Sequence, residues 1–279
     1  MGLGDPLLYR SSPLYGYRLK EDQHVSRRGI RIKVNNLGLR ANTDWDSSTA
    51  NKVLFLGNSV TFGGTYVSNT DLFSHLAVAD LPQFMSGNGG VNGWGVENIH
   101  ALVVGGRFLP ASVYVTVLQE MDFDRGLSKF AGQPFWTRKP ALAIEELLVL
   151  AAFHVFQLSK EGYEEDIRPD EREKGVERAV LRLKEMDEFL KAQGRTHLIY
   201  MSTNTSQLLD GVPADTVVAT LLRMSDLSVT YLGERPEIRS LPRERIEALF
   251  YDWNHLDKEG HRLWGEVIGK DLKKVLTPN

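Results

Sequence analysis

The sequence predicts an α/β protein organised on a central parallel sheet, and a unit that recurs three times predicts it. The apolar run Val53 to Leu56 stops at Gly57, Asn58 and Ser59. A weaker strand over 83–87 leads into the Gly-rich turn Asn88 to Gly95. Ser112 to Leu118, dominated by β-branched and aromatic residues, ends in the polar cluster Gln119, Glu120, Met121 and Asp122. Helical patterns separate the three, with apolar positions at Leu72, Phe73, Leu76, Ala77 and Leu81, then at Val96, Ile99, Leu102, Val103 and Phe108. Strand, turn and helix repeated in this order make βαβ units, whose ligands gather at the carboxyl ends of the strands.

The remaining elements follow along the chain. Residues 1–50, rich in Tyr, Arg, Asn, Ser and Gly without a sustained period, read as an extended, loop-rich arm lying on the main domain. Within it Ile30 to Val34 reads as a short strand and Asn35 to Gly38 as a turn. Arg40 reads as a surface salt-bridge partner, with a substrate contact as the alternative. Residues 51–279 form the main domain, where Thr70 is the expected N-cap of the first long helix. A mainly helical insertion over about 123–195 interrupts the βαβ rhythm. It holds a loop through Pro134 and Pro140, an apolar helix over 141–159 that reads as buried, and an amphipathic helix over 169–193. Beyond it come a strand at His197 to Met201, a helix at Pro213 to Met224, a strand at Ser228 to Leu232 and a short helix at Arg243 to Leu249. The chain closes on a helix capped by Asp257, with Trp264, Val267, Ile268, Leu272 and Val275 on one face.

Composition narrows the function. With 279 residues, 42% hydrophobic and 25% charged, the chain is of ordinary globular make-up. A net charge of −3 argues against a nucleic-acid partner, which needs a basic face. The absence of cysteine excludes a thiol nucleophile, a disulfide framework and cysteine-ligated metal. The first residues lack the basic segment and apolar run of a signal peptide, so the chain as written is expected in the cytoplasm, or outside it if a leader or anchor has been removed. No stretch is long and uncharged enough to read as a membrane span.

Two local patterns carry chemistry. Ser59, on a tight turn at the end of a buried strand, is either part of an ordinary polar turn or a nucleophile held at the sheet edge. Asp252 precedes His255 by three residues at the entry to the last helix. That spacing lets the carboxylate accept the Nδ1 proton and leaves Nε2 free as a base, although an Asp-x-x-His pair alone can equally be a cap or a surface pair. Other motifs fail: a Gly-x-Ser-x-Gly elbow would need Gly where Thr61 stands, and neither a P-loop nor a His-Glu-x-x-His pattern occurs.

Together these residues resemble the SGNH/GDSL serine hydrolases. Gly57-Asn58-Ser59-Val60-Thr61-Phe62-Gly63 is similar to the family's first block, with Asn in place of the usual Asp. Asn88-Gly89-Gly90-Val91-Asn92-Gly93-Trp94 is similar to the second, and Asp252, His255, Leu256, Gly260 and His261 to the last. Asn36 to Arg40 looks like an N-terminal feature of the polysaccharide-associated branch. In the third block Met121-Asp122 stands where the family has Asn-Asp, so the side-chain donor to the oxyanion is missing, and Gln119 is the nearest substitute.

The resemblance implies a flavodoxin-like three-layer α/β/α sandwich and a Ser59, His255, Asp252 triad. It implies an oxyanion hole from the N–H groups of Ser59 and Gly93, with no metal or organic cofactor. The implied substrate is a small-molecule or glycan O-acyl ester, above all an O-acetyl group on a carbohydrate. Two alternatives stay open: O-acyl transfer by the same triad, and a non-catalytic carbohydrate-binding or assembly protein. Trp94 and Trp253 flank the implied site as sugar-stacking or core residues, while His154 and His261 read as packing residues.

Overall fold

The computed structural model describes residues 4–27, 29–106, 109–130, 134–155, 163–164, 171–211 and 216–277. Two antiparallel hairpins come first, β1 (Tyr9–Ser12) with β2 (Gly16–Leu19), and β3 (Gln23–Arg27) with β4 (Ile30–Val34). Then follow β5 (Lys52–Gly57), α1 (Ser59–Phe62), α2 (Phe73–Leu76), β6 (Met85–Asn88), α3 (Val96–His100) and β7 (Val113–Leu118). The middle of the chain holds β8 (Lys129–Phe130), α4 (Ala143–Val155), β9 (Tyr163–Glu164) and α5 (Arg172–Ala192). The last part holds β10 (Thr196–Met201), α6 (Thr205–Asp210), α7 (Val217–Met224), β11 (Val229–Tyr231), α8 (Pro236–Arg239), α9 (Arg243–Glu247) and α10 (Lys258–Leu276).

The central sheet has the order β11-β10-β7-β5-β6, and every neighbouring pair is parallel. Numbered among themselves these strands run 2-1-3-4-5, the flavodoxin-like order, so the winding reverses between β5 and β7. The crevice created there opens at the carboxyl ends of the strands, just where Ser59 follows β5.

The sheet is buried on both faces, which explains the unbroken apolar runs of β5 and β7. Alternate residues of β5 serve different layers. Val53 and Phe55 pack with Phe73, Trp264, Val267, Ile268 and Leu272, whereas Leu54 and Leu56 pack with Val96, Ile99, Leu183, Met186 and Leu190. Tyr17, Leu19, Val25, Ile32 and Val34 of the two hairpins join the second of these cores. The first 50 residues are thus more regular than their sequence suggests, because strands of four or five residues need no long hydrophobic period.

Three expectations change. The helix expected over 70–81 is a 3₁₀ turn at Asn69–Asp71 followed by the single turn α2, because Leu72 between them is extended at φ −72° and ψ 142°. The helix expected over 96–108 continues past His100 as a π-helical segment, Ala101–Gly106. The apolar helix α4 is not buried: Leu148 is 62% exposed, and Ile144, Leu147, Leu150 and Val155 are also open, as is Leu142 just before it. Among the described side chains of α4, Glu146 is buried and accepts the Gly4 N–H at 2.5 Å. The side chain of His154 lies outside the described residues. No described helix is long and apolar enough to cross a membrane.

Candidate active site

The turn after β5 is set by three local interactions. Asn58 caps α1 by accepting the Val60 N–H at 2.8 Å. Its amide nitrogen meets both oxygens of Asp122 at 2.9 Å. This accounts for Asn at a position where the motif it resembles has Asp: opposite a buried carboxylate the residue must donate, and an aspartate there would place two like charges together. Gly57 is required by close approach, since a Cβ there would lie 2.2 Å from Thr61 Oγ1 and 2.4 Å from the Val117 carbonyl.

The loop after α9 brings the distant half of the site. Asp252 Oδ1 accepts the backbone N–H groups of Asn254 and His255, both at 2.8 Å. Its Oδ2 lies 2.8 Å from His255 Nδ1, and His255 Nε2 lies 2.8 Å from Ser59 Oγ. Three residues separated by up to 196 positions thus form one hydrogen-bonded line. Burial pushes the Asp252 carboxyl up, but the hydrogen bonds from the two N–H groups and the imidazole outweigh it and hold the group below its ordinary value. The ionised carboxylate accordingly fixes the imidazole with Nε2 toward the serine.

Ser59, Asn92, Gly93, Arg125, Asp252 and His255 line one cavity of about 460 Å³. Gly93 has φ +78°, a conformation that suits glycine, in a turn whose carbonyls are already engaged. Tyr17 donates to the Asn92 carbonyl at 2.6 Å and Ser128 to the Gly93 carbonyl at 2.8 Å. The N–H groups of Ser59 and Gly93 have no acceptor among the described residues.

Gln119 does not fill the third donor position. Its Nε2 donates to Asn254 Oδ1 at 2.6 Å, and its Oε1 accepts from Asn58 at 3.1 Å and Asn254 at 3.2 Å. This buried amide network braces the Ser59 turn against the His255 loop, and Gln119 borders a neighbouring cavity of about 560 Å³ instead. Trp94 is fully buried and belongs to the core, whereas Trp253 is 60% exposed beside His255. His261 is buried and stacks on Phe73, its Nδ1 accepting the Phe73 N–H at 3.3 Å.

Three further residues build the site that the sequence reading missed or misplaced. Arg40 is not on the surface: it is 2% exposed and donates to the carbonyls of Phe62, Gly64 and Val67 at 2.6–2.7 Å and to Asn69 Oδ1 at 3.2 Å. Burial lowers its pKa to about 9, which still leaves it cationic at neutral pH. It ties down the 62–67 loop that leaves α1. Tyr66, on that loop, stacks on Tyr251 with centroids 4.0 Å apart and donates to the Leu256 carbonyl at 3.0 Å. Arg125, on the segment after β7, lines the Ser59 cavity. No local pattern signals any of these contacts; the one available clue is the charge pair Asp122 and Arg125 at a helical i, i+3 spacing.

No family model matches the chain. No curated protein matches it either. Among solved structures, a two-domain esterase active on acetylated mannans is similar at 15% identity and a TM-score of 0.49, over 83% of this chain and 51% of that one. An acetyl xylan esterase is similar at 13% identity and a TM-score of 0.46, over 79% and 99% of the two chains. A member of the lipolytic G-D-S-L family from Veillonella parvula is similar at 13% identity and a TM-score of 0.41, over 82% and 99%. A further crystal structure reaches a TM-score of 0.50 at 15% identity, over 82% of this chain and 99% of that one. Identities this low speak to the fold alone, and the fold is the flavodoxin-like three-layer α/β/α sandwich that the 2-1-3-4-5 strand order and the two cores describe.

Proposed function

We propose that this chain is a serine-dependent carboxylic ester hydrolase acting on an O-acyl group, above all O-acetyl, of a carbohydrate. The observation that carries the reading is the line from Ser59 Oγ through His255 to Asp252, with both gaps at 2.8 Å. Ser59 Oγ attacks the ester carbonyl carbon as its proton passes to His255 Nε2, and the carbonyl π pair moves onto oxygen. The unengaged N–H groups of Ser59 and Gly93 receive that oxyanion. Collapse expels the sugar alkoxide, which takes the proton from His255, and water then releases the acyl group by the same steps in reverse roles.

The sugar assignment draws support from the sequence resemblance and from Trp253 and Tyr251, 60% and 63% exposed beside His255, which suit stacking on a pyranose ring. Transfer to an acceptor sugar is a second reading, favoured by the cavity of about 560 Å³ that Gln119 and Asn254 border next to the site. The test is incubation with p-nitrophenyl acetate and with an O-acetylated oligosaccharide, with and without an unacetylated acceptor. Release of acetate that Ser59→Ala abolishes is expected. Acetyl appearing on the acceptor by mass spectrometry indicates transfer, and neither product from a folded wild type overturns both readings.

A further inference from the structure

We propose that Arg125 is the side-chain donor to the oxyanion in the Ser59 site. The inference rests on the hydrolase reading above and supplies the group that Gln119 cannot. A tetrahedral intermediate places a full negative charge on the former carbonyl oxygen, and an electrostatic donor must already be aimed at that position. Among the described residues lining the Ser59 cavity, Arg125 alone carries a permanent positive charge.

Its seat is rigid on one side and open on the other. Nη1 donates to Asp122 Oδ1 at 3.0 Å and to the Trp94 carbonyl at 3.1 Å, and Nη2 contacts Met121 Sδ at 3.3 Å. Asp122 is fully buried and is itself held by Asn58 and by the Gln119 N–H at 2.8 Å, so the fork is anchored to the same network that caps the Ser59 turn. Thioether sulfur is a weak acceptor, and Nε has no partner among the described residues. The Arg125 side chain is 20% exposed, and the residue lines the same cavity as Ser59 and Gly93.

In the reaction, the oxygen that gains the carbonyl π pair accepts N–H bonds from Arg125, Ser59 and Gly93, and these bonds weaken as the carbonyl re-forms and the alkoxide leaves. No proton leaves Arg125 at any step. The interaction is made in the transition state rather than with the ground-state ester, so its removal lowers kcat more than it raises KM.

The experiment compares wild type, Ser59→Ala, Arg125→Gln and Arg125→Ala in p-nitrophenyl acetate hydrolysis, with thermal unfolding of each. Arg125→Gln retains a neutral amide but does not reach as far as Nη1, so the unfolding midpoint of each variant reads any loss of fold separately from the loss of rate. Its kcat is expected to fall about 10²–10³-fold with KM nearly unchanged, the size of loss typical of one oxyanion donor. Millimolar ethylguanidinium is expected to return at least about tenfold of the activity lost by Arg125→Ala, because it restores the missing fork. A kcat for Arg125→Gln within about threefold of wild type, or a loss confined to KM, overturns the inference. If wild type turns over no faster than Ser59→Ala, the hydrolase reading itself fails; if only the Arg125 variants behave as wild type, the hydrolase reading stands and Arg125 is excluded.

Discussion

Replacing Arg40 tests how the N-terminal segment holds the 62–67 loop beside the candidate site in place. The guanidinium makes four hydrogen bonds to Phe62, Gly64, Val67 and Asn69, and no carboxylate among the described residues pairs with it. A hydrogen bond from a charged donor is worth about 1.5–3 kcal/mol net. Truncation leaves three carbonyls without donors at about 1–3 kcal/mol each, and relief from burying an unpaired cation offsets part of that, so a net cost of about 3–5 kcal/mol is expected. For a domain near this size, roughly 2–4 °C is lost per kcal/mol, so Arg40→Met should lower Tm by about 10 °C. Arg40→Lys retains the charge but not the planar fork and should fall between. Thermal unfolding followed by circular dichroism measures the shift, and fluorophosphonate labelling at a temperature where both proteins are folded reads the loop. A Tm for Arg40→Met within about 2 °C of wild type would refute the reasoning.

Other outcomes follow from the same contacts. Asp252→Asn presents an amide to His255 Nδ1, favours the wrong tautomer and should reduce kcat by about 10⁴-fold with little change in KM, measured on p-nitrophenyl acetate. Gln119→Ala leaves the buried Asn254 amide without its partner and should cost about 1–3 kcal/mol in urea unfolding, with kcat reduced less than by Arg125→Gln. His261 is held neutral chiefly by burial and then by Arg40, with its pKa lowered to about 3. The unfolded chain therefore binds more protons below its ordinary value of 6.5, and stability present above that pH is lost as pH falls toward 3. His261→Gln, which keeps an acceptor for the Phe73 N–H, should show a shallower loss than wild type in urea midpoints between pH 6.5 and 4; parallel curves would contradict this.

The fold was readable because its signals are local. The buried strands β5 and β7 are short apolar runs closed by turn residues, and Asp257 caps α10 as its sequence suggests, accepting the Glu259 N–H at 2.7 Å. Asp252 and His255 were legible for the same reason, since three residues on one turn already bring the carboxylate to the imidazole. What sequence could not supply were contacts made across the fold. Asn58 looks like a departure from a motif until Asp122, 64 residues away, is seen to require a donor. Arg40 looks like a surface charge until the 62–67 loop closes over it. Gln119 is near in sequence to the missing amide, yet its direction is decided by Asn254, 135 residues on. The run forming α4 reads as buried because hydrophobicity records a preference for leaving water, not the presence of a partner surface.

The central claim is that Ser59 is a nucleophile activated by His255. Intact-mass and peptide mapping after treatment with a fluorophosphonate tests it most directly, because phosphonylation requires an activated hydroxyl. One adduct on Ser59 is predicted in wild type, absent in Ser59→Ala and strongly slowed in His255→Ala. A folded wild type that takes up no adduct, or an adduct that persists in Ser59→Ala, would contradict it.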